Sequence, residues 1–251
     1  MERDVIIKQI ILITDGRSNI GGDPARAAAR AYKNGIIVNT IGVAGQKCIR
    51  KDALNEIIQI AKAGGGSYEC SYTDRLFQTM QGLTYKTINQ TLKHVVNKQL
   101  KEMIGEDINN MEPESQSKML NYIDRFSDDV EIRCCILLDN SGSMANKIHI
   151  VKYSILDLVY SLEGRRGRVD IAVAAFPGEN VYKCDILHDF NDSAEGLGKC
   201  LHNINPRGCT PTALAIREAT RLINRYNVIR PVDSKVARSG AGQLSHLKSE
   251  M

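Results

Sequence analysis

Apolar runs alternate with amphipathic stretches along the first third of the chain. The run VIIKQIILIT at residues 5–14 is β-branched and apolar at nearly every position, which is typical of a strand buried on both faces of a parallel sheet. In the next segment, DPARAAARAYKNG, Asp23 is an N-cap, Pro24 takes the first helical position and Gly35 follows the last turn. A strand, a helix and a short strand come next, at residues 36–43, 52–63 and 67–70. This β-α-β-α-β order indicates a parallel α/β architecture.

A long helical pattern fills the middle of the chain. From residue 74 apolar side chains recur at helical spacing, and after a polar break a further helix is predicted at 114–126. A second set of α/β elements begins with the buried strand EIRCCILLD, which ends at Asp139. We predict the remaining elements as a helix, a strand, an antiparallel strand and two helices, at residues 147–162, 169–176, 182–190, 194–203 and 212–226. The polar tail at 229–251 shows no pattern of a folded element, and we expect it to be disordered.

The composition and the charge narrow the function classes. The 251 residues include 33 Lys and Arg, 29 Asp and Glu, and 43% hydrophobic residues, which is an ordinary mixture for a globular protein. The basic residues are scattered and lack interleaved aromatic residues, so we expect no nucleic-acid partner despite the net charge of +4. No apolar run approaches the roughly 20 residues of a membrane span, and we expect no membrane partner. The seven cysteines show no metal-binding or redox spacing, which is typical of free thiols in a reducing cytoplasm.

A cluster of oxygen-bearing side chains follows the apolar strand that ends at residue 139. Asp139, Ser141 and Ser143 stand at alternate positions of DNSGSM, on the turn between the strand and the next helix. A carboxylate and two hydroxyls on such a turn can direct hard oxygen donors at one point, which is what Mg²⁺ or Mn²⁺ requires. Ser and Asp are also the usual N-cap residues, so these three residues alone are equally consistent with a turn that caps the next helix.

Two more oxygen donors are placed to join this cluster. Thr210 lies in GCTPT, a loop that opens the last helix, and Asp15 lies in ITDG, at the carboxyl end of the first apolar strand, where open α/β sheets place ligands. Together the three motifs resemble the von Willebrand factor type A domain with its metal ion-dependent adhesion site. The resemblance implies a three-layer α-β-α fold with a mostly parallel six-stranded sheet. It assigns metal binding to Asp139, Ser141, Ser143, Thr210 and Asp15.

The motifs occur in an order that is unusual for the family. The family has the DxSxS motif first, the threonine next and the last aspartate third, whereas here the aspartate comes first. We therefore expect a circularly permuted domain, similar to that of YabS-like proteins of spore-forming bacteria. The C-terminal half of the fold would occupy residues 1–85 and the N-terminal half residues 130–228, with a helical linker at 86–129. A linker of this length can join the halves at the bottom of the sheet, away from the metal.

The seam between the two halves is predicted to lie directly beneath the metal. Asp15 and Asp139 would bind the cation from opposite halves, and the cation would help to hold the halves together. The halves can close within one chain or between two chains, which gives a monomer or a domain-swapped dimer.

An apolar stripe along the linker helix has two interpretations. Its members are Leu92, Val95 or Val96, Leu100, and Met103 or Ile104. We expect the stripe to pack on the sheet; the alternative is a groove for a partner helix.

A site of this composition favours protein binding over catalysis. Hydroxyl ligands leave the cation under-neutralised with one position open, and the resemblance implies that an Asp or Glu carboxylate of a partner protein fills it. The surrounding loops would form a rim that selects the partner, with Met144, Asn146, Arg17, Ser18, Asn19 and Pro211. The sequence lacks a Walker lysine motif and a GxSxG motif, so we expect no enzyme. The alternative is a Mg²⁺-dependent phosphohydrolase with Asp139 as nucleophile and Asp15 as metal ligand.

Overall fold

A six-stranded sheet lies between two layers of helices in the computed structural model, which describes residues 6–45, 49–180, 183–192 and 194–226. Within those residues the strands are β1 (Ile6–Thr14), β2 (Ile36–Ala44), β3 (Gly65–Tyr72), β4 (Glu131–Asp139), β5 (Val169–Phe176) and β6 (Asp185–His188). The α-helices are α1 (Pro24–Lys33), α2 (Lys51–Ala63), α3 (Leu76–Ile104), α4 (Pro113–Phe126), α5 (Ile148–Glu163), α6 (Ala194–His202) and α7 (Thr212–Arg225). The expected three-layer α/β fold is therefore confirmed.

Three of the expected segments reach beyond the described residues, and the first is the apolar run at 5–14, whose residue 5 lies outside them. The antiparallel strand predicted at 182–190 corresponds to the shorter β6, and residue 182 lies outside the described part of the chain. The tail at 229–251 lies outside it entirely.

The strand order places the two halves of the chain side by side. The order is β3-β2-β1-β4-β5-β6; the first five of these strands pair in parallel, and β6 pairs antiparallel to β5. In the β1–β4 pair, Ile13 lies opposite Leu138. Thr14 and Asp15 therefore reach the same edge of the sheet as Asp139, which is the last residue of β4.

Each face of the sheet carries its own hydrophobic core because successive strand residues point in opposite directions. Ile11 and Ile13 of β1 pack with α3, α5 and α6, whereas Ile10 and Leu12 pack with α1 and α7. Both faces of β1 are thus covered, which explains the continuous apolar run in the sequence.

The helix α3 continues across the expected start of the linker. Residue 86 lies inside α3, and Leu92 is buried in the same core as β1 and β4. Val96 and Leu100 pack against that core, so the expected packing of the stripe holds as far as Leu100. Met103 is 82% exposed and Ile104 56%, because the last turn of α3 extends past the residues on which the helix packs. Neither α3 nor any other described helix is long and apolar enough to span a membrane.

A buried polar network links α3 to three strands. Asn39 Nδ2 of β2 donates to Gln9 Oε1 of β1 at 3.2 Å and to Thr87 Oγ1 of α3 at 2.8 Å. Gln9 Nε2 donates to Thr84 Oγ1 at 3.2 Å, and Ser67 N of β3 donates to Asn39 Oδ1 at 2.9 Å. Asn39, on β2, is the centre of the network, because its side chain forms hydrogen bonds with residues of the other three elements, β1, β3 and α3. Its side chain therefore fixes the position of α3 on the sheet.

We predict that Asn39→Ala lowers the free energy of unfolding by about 2–4 kcal/mol, because it leaves several buried partners without a hydrogen bond. Chemical denaturation measures this difference. Asn110→Ala is the matched control, since Asn110 is exposed and its side chain forms no hydrogen bond with a described residue. An Asn39→Ala protein as stable as the control would show that the network does not hold α3 in place.

Candidate metal centre

Asp139 is a fully buried carboxylate at the end of β4. Its exposed fraction is 0%. Thr14 Oγ1 donates to Asp139 Oδ2 at 2.5 Å, and Ser141 N donates to Asp139 Oδ1 at 2.9 Å. Burial raises the pKa of Asp139 to about 6, and the hydrogen bonds from Thr14 and Ser141 only partly counter that shift. Burial therefore disfavours the ionised carboxylate, and a bound cation would stabilise this form.

Ser141, whose backbone N–H binds this carboxylate, begins a chain of side-chain oxygen contacts that leads through Ser143 to Asp15. Ser143 Oγ donates to Asp15 Oδ1 at 2.6 Å, and the hydroxyls of Ser141 and Ser143 lie 3.1 Å apart. The Asp15 side chain is only 4% exposed. The structure thus brings together four of the five predicted ligands, and the pairing of β1 with β4 is what joins them.

The loop of Thr210 is held beside this chain by the loop that follows β1. Thr210 N donates to Asn19 Oδ1 at 2.9 Å, and Asn19 N donates to Thr210 O at 3.3 Å. Ser18 Oγ donates to the same carbonyl at 3.0 Å. No hydrogen bond to Thr210 Oγ1 is found within the described ranges, so this hydroxyl is available to a ligand.

Asn140, the middle residue between two predicted ligands, connects the DNSGSM turn to the segment before Thr210. Its Nδ2 donates to Asn205 O at 3.1 Å, and its carbonyl accepts a hydrogen bond from Arg207 N at 2.8 Å. Its own N–H donates to Phe176 O at the end of β5. These contacts place the two ligand-bearing loops relative to each other.

Lys147 is the site residue that the sequence analysis missed. Its Nζ forms an ion pair with Asp15 Oδ2 and lies 3.5 Å from Ser143 O. A Cβ at Gly45 would lie 3.2 Å from Lys147 Cε, so the glycine makes room for this side chain. Its position just after the DNSGSM turn is a signal that could have indicated the contact. A positive charge is therefore already accommodated against one of the predicted metal ligands.

The predicted rim divides into exposed and buried residues. Arg17 and Asn146 are exposed beside the cluster, whereas Ser18 and Asn19 bind the Thr210 loop. Met144 is 0% exposed, because the short 3₁₀ turn at Gly142–Met144 directs its side chain into the core. Pro211 is also buried, at the N-cap of α7. The expectation that Met144 and Pro211 lie on the rim is therefore wrong.

The loop after β1 is held by a further residue that the sequence did not indicate. Glu56 Oε1 of α2 accepts a hydrogen bond from Ser18 N at 2.6 Å, and its Oε2 lies 3.8 Å from Arg17 Nε. Burial raises the pKa of Glu56, although both contacts act in the opposite direction. The carboxylate thus fixes the loop that carries Asp15 and Asn19.

An open groove of about 1420 Å³ runs along this edge of the sheet. Four of the predicted ligands line it, namely Asp15, Ser141, Ser143 and Thr210. Asp139 lies beneath it, bonded to Ser141 N. The predicted ligands thus lie at or beneath the groove, at the carboxyl ends of the strands where α/β sheets place their binding sites, and Ser143 is the exposed member of the set.

The donor set suits a hard divalent cation. The five predicted donors are two carboxylates and three hydroxyls, all of them oxygen ligands. No group of three His, Cys, Asp or Glu side chains that could hold a metal is found among the described residues. Metal binding at this centre would therefore require the hydroxyls as well as the two carboxylates.

Known proteins share this sequence and this fold. Two family models, both described as von Willebrand factor type A domain, match residues 2–86 and 134–238. YabS, an uncharacterized protein of Bacillus subtilis (strain 168), is 37% identical over 216 residues, which cover 85% of this chain and 88% of YabS. YwmC of the same strain is 41% identical over 68 residues, 27% of this chain and 28% of YwmC.

A solved structure also matches over nearly the whole length. It is the crystal structure of an uncharacterized protein from Alicyclobacillus acidocaldarius subsp. acidocaldarius DSM 446, with a TM-score of 0.80 and 32% identity over 93% of this chain and 96% of that chain. Since the family models match both motif-bearing segments and YabS is 37% identical over 85% of this chain, the chain belongs to the von Willebrand factor type A domain proteins.

Proposed function

We propose that the chain binds Mg²⁺ or Mn²⁺ through Asp139, Ser141, Ser143, Thr210 and Asp15, and that the cation binds an Asp or Glu carboxylate of a partner protein. Von Willebrand factor type A domains are typically modules of protein–protein interaction. The observation that carries the proposal is the chain of oxygen contacts that joins Asp15 to the DNSGSM turn across the β1–β4 pair.

The charges at the site favour an acidic ligand. One divalent cation balances the two carboxylates of Asp15 and Asp139, and the Lys147 ammonium that it displaces from Asp15 would keep a further positive charge beside the site. Mg²⁺ prefers six ligands, so five protein donors leave a position for an external oxygen. A partner's carboxylate would therefore approach a centre with net positive charge. A bound cation supplies the electrostatic attraction, and the protein supplies the orientation.

A phosphohydrolase is a weaker interpretation of the same residues. Its nucleophile would be Asp139, whose side chain is 0% exposed. Both carboxylate oxygens already accept hydrogen bonds, from Thr14 and from Ser141. A nucleophile must meet the phosphorus atom directly, and burial beneath the DNSGSM turn opposes that approach.

The proposal includes a circular permutation with closure inside one chain. The DxSxS motif follows β4 instead of the first strand, and the edge strand β6, antiparallel to β5, stands in the half that carries this motif. These features support a type A fold that begins with its second half. The pairing of β1 with β4 of the same chain supports a monomer.

We predict that Asp139→Asn abolishes the stabilisation of the fold by Mg²⁺. With the cation at a hundredfold its Kd, the wild type should gain about 2–3 kcal/mol, and the variant should gain nothing. Thermal unfolding with Mg²⁺ and with chelator measures the difference. Asp157→Asn is the control, since Asp157 is exposed on α5, and it should respond like the wild type. If Mg²⁺ stabilises the Asp139→Asn protein as much as it stabilises the wild type, Asp139 is not a ligand of the cation.

In chelator the stability of the same variant relative to the wild type should depend on pH. The pKa of Asp139 in the fold, about 6, lies above its ordinary value of 3.8, so folding takes up a proton between these pH values. The free energy of unfolding that this group contributes therefore falls as the pH rises through the window. At neutral pH Asp139→Asn should be more stable than the wild type by up to about 3 kcal/mol, less any loss of hydrogen bonding. An equal difference at pH 4 and pH 7 would contradict the assignment of this shift.

We predict that Lys147→Met raises the affinity for Mg²⁺ by about tenfold or more, because the ammonium group competes with the cation for Asp15. Calorimetric titration measures the Kd. Lys147→Arg keeps the charge and should bind like the wild type, and Lys98→Met, on an exposed part of α3, should change nothing. An unchanged or weaker Kd for Lys147→Met would show that the ammonium does not compete with the cation.

A further inference from the structure

The groove is much larger than one carboxylate requires. Its volume of about 1420 Å³ exceeds the roughly 300–1,000 Å³ of a small-molecule site. Most of its lining residues come from the carboxyl ends of β1, β2, β3 and β4 and from the loops that follow them, and they include Asp15, Ser141, Tyr72 and Arg75. The metal centre thus occupies one part of a longer surface.

Cations outnumber carboxylates along this surface. The positively charged residues that line the groove are Arg17, Arg50, Arg75 and Lys147, and the negatively charged ones are Asp15 and Asp74. Lys147 already neutralises Asp15, and Arg17 faces Glu56. Arg50 and Arg75 are both exposed, and neither forms an ion pair with a described residue. These two guanidinium groups are therefore available to a ligand.

We propose that Arg50 and Arg75 bind further carboxylates of the partner, so that the groove recognises an acidic segment with several Asp or Glu residues. The guanidinium group matches a carboxylate through two parallel hydrogen bonds, and it is always charged. This proposal depends on the proposed function only for the one partner carboxylate that binds the cation. The arginines add affinity and specificity at positions that the metal does not reach.

A protein ligand fits this groove better than a nucleic acid. Single-stranded nucleic acids are bound by successive aromatic platforms in a strongly basic channel. Tyr72 is the one aromatic residue among the described residues that line the groove.

Two labelled peptides test the proposal. Both are Gly-Ser peptides of equal length, one with a single glutamate and one with three, and fluorescence anisotropy with the full chain in Mg²⁺ gives each Kd. The wild type should bind the peptide with three glutamates at least about tenfold more tightly. Arg50→Gln with Arg75→Gln should remove this preference and leave the affinity for the single-glutamate peptide within about twofold.

A matched pair of exposed arginines provides the control. Arg26→Gln with Arg30→Gln removes the same number of positive charges from α1, away from the groove. This variant should still prefer the peptide with three glutamates. A preference that survives in the Arg50 and Arg75 variant overturns the proposal, and so does a wild type that binds both peptides equally. An oligothymidylate that competes as well as the acidic peptide would show a nucleic-acid groove instead.

Chelator separates this proposal from the proposed function. If the arginine-dependent preference persists in chelator while Mg²⁺ has no effect, recognition of an acidic segment by the arginines is supported and the cation site is not. If Asp139→Asn binds neither peptide while the Arg50 and Arg75 variant matches the wild type, the cation site is supported and recognition by the arginines is not.

Discussion

The parallel pairing of β1 with β4 is the constraint on which the rest of the site depends. It brings Thr14 and Asp139 into hydrogen-bond contact although 125 positions separate them in the chain. Because Asp139 is fully buried there, its ionised form is costly without a nearby positive charge. A cation held by residues of both strands would offset that cost and strengthen the pairing at the same time.

Much of the fold and of the ligand set could be predicted because strand ends leave a clear signal. A buried parallel strand is a continuous apolar run, and its first polar residues, such as Asp15 and Asp139, must lie at the edge of the sheet. The direction of a loop side chain leaves no such signal. Met144 and Pro211 were expected on the rim for their position in the sequence, yet both are buried. The position of Lys147 after the DNSGSM turn places it near the site, but its contact with Asp15 was missed because it depends on the reach of a long side chain across two loops.

The buried network around Asn39 shows a second limit of the sequence. Gln9 and Asn39 interrupt otherwise apolar strands, and only the position of α3 reveals that Thr84 and Thr87 meet them. The network attaches α3 to the first three strands, whereas the proposed cation site would join β1 to β4. The predicted ligands thus lie at strand ends, while Arg50 and Arg75, which we propose to bind the partner, are exposed on the loops and helix starts beyond them.

The most direct test of the central claim is the anomalous diffraction of crystals soaked in Mn²⁺. The account predicts one strong peak between the carboxylate of Asp15 and the hydroxyls of Ser141 and Ser143, with the Lys147 ammonium displaced from Asp15. Soaked crystals without a peak at this position, in which Lys147 still contacts Asp15, would contradict a cation site at the junction of the two halves.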